Sequence, residues 1–122
     1  MDKIKVAVEY PNKIYEAEIA LLDKIDLIEK GKIEKRRIEN EVELKVLEDS
    51  KKDEFKESLS NETKRNAKIN EILGYHRAFQ EIITNVQKYQ RELEIDRLKI
   101  SRDKRLLRSA IALCSMLGVN VE

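Results

Sequence analysis

His76 is the only histidine of this 122-residue chain, and its neighbours decide what it can do. A metal ion needs three or four protein ligands, and a general base needs a group that orients its ring. Glu71 lies about one helical turn away across Gly74, but no second His and no Cys is near in sequence. His76 therefore reads as a hydrophilic residue beside a turn. Glu92, Glu94 and Asp96 alternate, so on a helix they spread around the axis and form a solvated face. Ser101, Ser109 and Ser115 have no companion base, which leaves nucleophilic catalysis without support. Gly31, Gly74 and Gly118 are too far apart for a phosphate-cradling loop. Cys114 is alone, so an internal disulfide and a cysteine metal site are excluded and a buried apolar role is expected. These residues predict a protein that is not an enzyme, with no catalytic residue, no cofactor and no metal.

The strongest charged feature is Arg97, Lys99, Arg102, Lys104, Arg105 and Arg108, interrupted only by Asp103. Arg97, Lys104 and Arg108 follow one another at steps of seven and four, so they share a helix face. Such a ridge can hold phosphates but not read bases, because no aromatic residue is there to stack on them. A nucleic-acid contact through Arg97, Arg102, Lys104, Arg105 and Arg108 is one reading. The favoured one is internal: the ridge pairs with Glu16, Glu18, Asp23 and Asp26 of an earlier helix. The charge balance fits this, since residues 1–62 carry 13 basic and 17 acidic side chains and residues 63–122 carry 12 and 7.

The segment that carries the ridge runs from Tyr75 to Leu113 without proline or glycine. Its large apolar residues, Phe79, Ile82, Val86, Tyr89, Leu93, Ile100, Leu107 and Ile111, recur at helical steps and form one stripe. The regular step lands on Asp96 and Asp103, where the stripe is interrupted, and Leu98 and Leu106 lie on other faces. A helix this long must bury its stripe against something of similar length. The segment from Pro11 to Glu48 offers Ile14, Ala17, Leu21, Ile25 and Ile28, then Ile38, Val42 and Val46. Its middle is highly charged, and Gly31 weakens it by up to about 1 kcal/mol relative to Ala.

The remaining segments are short. Ile4, Val6 and Val8 alternate like a strand, as do Val119 and Val121, so that the two ends could pair, or the first segment is equally an irregular lead-in. Residues 49–59 read as a loop from which Phe55 and Leu59 fold back. Ser60 or Asn61 caps a helix over 60–73, which either stops at Gly74 or continues through it. The apolar C-terminal end, Ala110, Ile111, Leu113, Met116 and Leu117, is expected to be covered. The expectation is an all-α fold in one domain: a lead-in over 1–10, a long helix over 11–48, the loop, the short helix, a second long helix over 75–114 and a tail over 115–122. The long helices form an antiparallel, coiled-coil-like hairpin with the short helix near its turn, and the chain is oligomeric. Forty per cent charged and 5% aromatic residues suit a narrow seam better than a thick core. The N-terminus lacks the apolar core of a signal peptide, and no apolar run is long enough to span a bilayer, so a cytoplasmic protein with no membrane partner is expected.

Residues 59–73, Leu-Ser-Asn-Glu-Thr-Lys-Arg-Asn-Ala-Lys-Ile-Asn-Glu-Ile-Leu, follow an acidic leading helix and precede a basic trailing one. In that order of parts the chain resembles small helical coiled-coil proteins of unknown function encoded by bacterial phages and mobile elements. The resemblance implies a helical interaction or assembly module, accessory to DNA recombination, acting with itself or a helical protein partner. Gly74-Tyr75-His76 departs from the more acidic link expected at that junction. A likeness to prefoldin-like helical hairpins is architectural only, because residues 49–60 lack the alternating Val and Ile of a β-hairpin.

Overall fold

A computed structural model describes residues 2–118. It holds three α-helices, α1 (Lys3–Ser50), α2 (Glu62–Tyr75) and α3 (Arg77–Met116), with a single 3-10 turn at Asp53–Phe55. Among the described residues there is no strand. The chain forms two compact units: one is built from the chain up to Asp26 and from Tyr89 onward, the other is Leu27–Lys88.

In the first unit residues 3–9, which read as strand-like or as an irregular lead-in, are helical. Asp2 starts the helix, its carboxylate accepting from the N–H groups of Ile4 (3.0 Å) and Lys5 (3.4 Å), which otherwise lack helical partners. The burial pattern gives the reason. A strand would place Ile4, Val6 and Val8 on one side, whereas Val6 is 3% exposed and Ile4 and Val8 are 47% and 59% exposed. The opposite alternating segment, Val119 to Val121, lies outside the described residues. Pro11, expected in the first turn, is inside α1, where it has no N–H to give the carbonyl of Ala7. Val6 and Ala7 pack against Ala110 and Cys114, with Tyr10 beside them. Apart from Tyr10 these side chains are small. As the partners on α1 run from Lys13 through Glu18 to Lys24, those on α3 run back from Asp103 and Lys104 to Asp96 and Glu92, so the segments are antiparallel. Cys114 is buried, as expected. Ile111, expected in the seam, is exposed, and so are Leu113, Met116 and Leu117. The seam step lands on Ala110 and Cys114, which leaves those four larger residues on the outer sides of the last turns.

The second unit has the thicker core. Ile38, Val42 and Val46 of α1 meet Leu73 of α2, Phe79 of α3 and Leu59 of the connection, with Ile69, Ile72, Ile82 and Ile83 packed against them. Leu59 therefore folds back as expected, while Phe55 stays partly exposed. Asn61 is the cap of α2, its side chain accepting from the Lys64 N–H at 2.9 Å. Gly74 does not end α2, which continues to Tyr75. The break falls on His76, whose extended backbone (φ −76°, ψ 103°) separates α2 from α3. Its N–H donates to the Leu73 carbonyl at 3.2 Å, and its Nδ1 accepts from the Phe79 N–H at 3.1 Å. Gln80 donates through Nε2 to the same Leu73 carbonyl at 2.9 Å. One residue thus closes one helix and opens the next.

Gly31 also has a packing role. A Cβ there would stand 2.6 Å from Cγ2 of Val86, whereas at Gly74 nothing lies within 4 Å. Val86 is β-branched and holds one preferred rotamer in a helix, so it cannot swing aside cheaply. The two glycines should therefore respond with opposite signs. Gly74→Ala is expected to raise stability by about 0.5–1 kcal/mol through helix propensity. Gly31→Ala is expected to lower it by about 1–2 kcal/mol, overpacking outweighing the same gain. Urea unfolding of both checks this, and in a Val86→Ala background the Gly31→Ala loss should turn into a gain. His76→Ala should cost about 1 kcal/mol by removing the cap, and His76→Asn should recover most of it.

Candidate functional site

The side chains capable of chemistry do not converge on one point. His76 is occupied with capping. Among the described residues no group of three or more His, Cys, Asp or Glu side chains is placed to hold a metal ion. A cavity of about 530 Å³ lies in the second unit, lined by Val46, Phe55, Leu59 and Ile72 together with Lys64 and Glu71. Its charged residues balance, so it favours neither sign of ligand. No described helix is long and apolar enough to cross a membrane.

The seam of the first unit carries the most informative electrostatics. Asp96 and Asp103, which interrupt the apolar stripe of α3, are part of the seam. The Asp103 side chain is 8% exposed and faces the Lys13 ammonium at 3.7 Å, with Arg102 at 3.4 Å. Lys13 also lies over the Tyr10 ring, 4.6 Å from its centroid. Asp96 receives Lys24 at 2.5 Å, and Glu92 stands 3.6 Å from the same ammonium. The Lys24 ammonium is held above its ordinary range, first by the hydrogen bond to Asp96. The acids of α3 are thus neutralised by lysines of α1, the reverse of the pairing expected from the charge balance. Of the four acids expected to meet the basic ridge, Glu18 does so, at 2.8 Å from Lys104.

The basic residues themselves split. Arg97, Lys104 and Arg108 lie on one flank of α3. Arg102 and Arg105 lie on another, where with Lys99 they line a shallow depression around the exposed Ile95 and Leu98. The five expected contact residues therefore do not form one row, because a step of three or four, not one or two, keeps a helix face. Among the described residues Arg97, Lys99, Arg105 and Arg108 make no ion pair.

Of the expected helix–helix residues, Ile28, Val42, Phe79, Leu93 and Ile100 are buried. Ala17, Leu21, Ile25, Ile82, Val86, Tyr89 and Leu107 are half-buried at the seam margins. A further surface was missed. Ile4, Val8, Tyr15, Ile19 and Leu22 of α1 are all exposed in the first unit. In the second unit, Ile33 and Leu44 are exposed and eleven residues apart. An eleven-residue spacing was the signal, masked by the seven-residue spacing of the seam in the same helix. Comparison with protein families, with curated proteins and with solved structures finds no match for this chain.

The seam makes a testable distinction. Asp103→Lys, which puts an ammonium in the buried position of the carboxylate and turns the contact with the exposed Lys13 into repulsion, should destabilise the chain by about 3 kcal/mol, whereas Asp103→Leu should be neutral or stabilising. Chemical unfolding of the two variants checks it. Because the Lys24 group is raised in the folded state, its pairing favours folding at pH below its ordinary 10.5 and is lost as pH rises through the raised value. The stability gap between wild type and Lys24→Leu should accordingly close in strongly alkaline buffer.

Proposed function

We propose that this chain is a non-enzymatic helical assembly module, built on a coiled-coil-like antiparallel hairpin, whose outer face on α1 contacts other helices. The observation that supports this reading is the row of exposed apolar residues Ile4, Val8, Tyr15, Ile19 and Leu22. Scattered exposed apolar side chains need no explanation, but a row at helical spacing is the form in which helices recognise one another. An accessory role in phage or mobile-element DNA recombination is compatible with such a module. A photoreactive residue substituted for Tyr15 in the full chain, in its native cell, is expected to form protein adducts. One at Ala20, which is exposed but off the row, is expected to form none. Absence of adducts at position 15 overturns the reading.

A second reading is favoured by Arg97, Lys99, Arg105 and Arg108, four cations of one stretch of α3 that make no ion pair among the described residues. In it, α3 lies against the phosphate backbone of a nucleic acid. Binding would then weaken steeply with salt, by a slope of about −0.9 for each phosphate neutralised on duplex DNA. Gel-shift titration in low salt should show a complex that Arg97→Glu with Arg105→Glu and Arg108→Glu abolishes while helicity is kept. No shift at micromolar wild-type protein rules the reading out.

A further inference from the structure

We infer that the outer face of α1 in the first unit pairs with the same face of a second copy of this chain, the two helices antiparallel about a twofold axis. The inference rests on the assembly reading above and names its partner. Ile4 and Tyr15 are eleven residues apart, as are Val8 and Ile19, and Pro11 and Leu22. Eleven residues are close to three full turns, so such a repeat holds a nearly straight row along a helix. The other side of the same helix follows a seven-residue step, Ala7, Ile14, Leu21, and is used against α3. α1 therefore has two apolar sides here, and the described residues cover one of them.

Charge selects the occupant. Lys5 flanks the row at its N-terminal end and Asp23 at its C-terminal end, and neither makes an ion pair among the described residues. They are eighteen residues apart, which is five turns, so they stand on the same flank. In a twofold antiparallel pair, like flanks meet in reversed order. Lys5 of each copy then lies beside Asp23 of the other, Ile4 opposite Leu22 and Pro11 opposite Tyr15. A parallel pair puts the two like flanks on opposite sides at the same level, so Lys5 of neither copy meets Asp23 of the other. The row spans about 27 Å of helix and is one face wide. That places the interface at the small end of specific contacts, with dissociation expected in the micromolar range.

Sedimentation equilibrium of the full chain over micromolar to millimolar concentrations tests this. A monomer–dimer equilibrium is expected, weakened by about tenfold or more in Leu22→Glu. Lys5→Glu should weaken the dimer by a few fold, and adding Asp23→Lys should restore it, with helicity by circular dichroism unchanged throughout. Val8→Cys mixed with Ile19→Cys should form a disulfide-linked pair faster than either variant alone. Faster linkage of Val8→Cys to itself overturns the antiparallel arrangement. A mass of one chain at every concentration overturns self-pairing, and two cases then separate. If the residue placed at Tyr15 still forms adducts with a different protein, the assembly reading stands and the second copy is wrong. If it forms none, both fail.

Discussion

Two carboxylates in an otherwise apolar seam constrain the first unit more than any other feature. Asp96 and Asp103 occupy steps of α3 where apolar side chains would pack, and a carboxylate removed from water must meet a cation or a donor. Lys24 and Lys13 supply the cations from α1. The acids are seven residues apart and the lysines eleven, a mismatch of about 6 Å along the axis. Lysine absorbs that difference because its four-carbon stem can lie along apolar surface while the ammonium reaches sideways. The ionic layers add little to stability, because the cost of taking the charges out of water offsets their attraction. The apolar closure of the same unit is made by the small residues Val6, Ala7, Ala110 and Cys114.

α1 answers to two periods at once. Its inner side keeps a seven-residue step against α3, and its outer side keeps an eleven-residue step with no described partner. The same helix cannot be wound to suit both, since a seven-residue repeat favours slight tightening to 3.5 residues per turn and an eleven-residue one slight loosening. Gly31, in the second unit, lets Val86 approach the α1 backbone directly. A glycine that weakens the isolated helix is retained by the contact it permits.

Much of this was legible in the residues. The stripe from Phe79 to Leu107, the burial of Cys114, the cap at Asn61 and the return of Leu59 all follow from spacing and side-chain type. The helical start of α1 was not, because Ile4, Val6 and Val8 satisfy a period of two as well as they satisfy a helix with apolar residues on both sides. Only the burial of Val6 between two exposed neighbours separates the cases. The site of the break after α2 was hidden for a different reason: Gly74 is the better stop by propensity, yet His76 can cap with both its backbone and its ring. The direction of ion pairing escaped notice because net charge counts residues without regard to face. Asp96 and Asp103 are few, but they are in the seam, and position outweighs number.

That same geometry bears on the arginines. Since α1 gives Lys13 and Lys24 to the acids of α3, Arg97, Arg105 and Arg108 have no matching demand from across the seam. Lys104 and Arg108 are four apart on one face, and Arg102 and Arg105 are three apart on another, so each pair repels its neighbour by some tenths of a kcal/mol. Lys104 and Arg102 are answered by Glu18 and Asp103, whereas Arg97, Arg105 and Arg108 make no ion pair among the described residues. The outer row of α1 is in the same position, since apolar side chains left in water gain nothing from folding. Both sets of side chains thus face away from the apolar seam and add little to the packing that holds the first unit together.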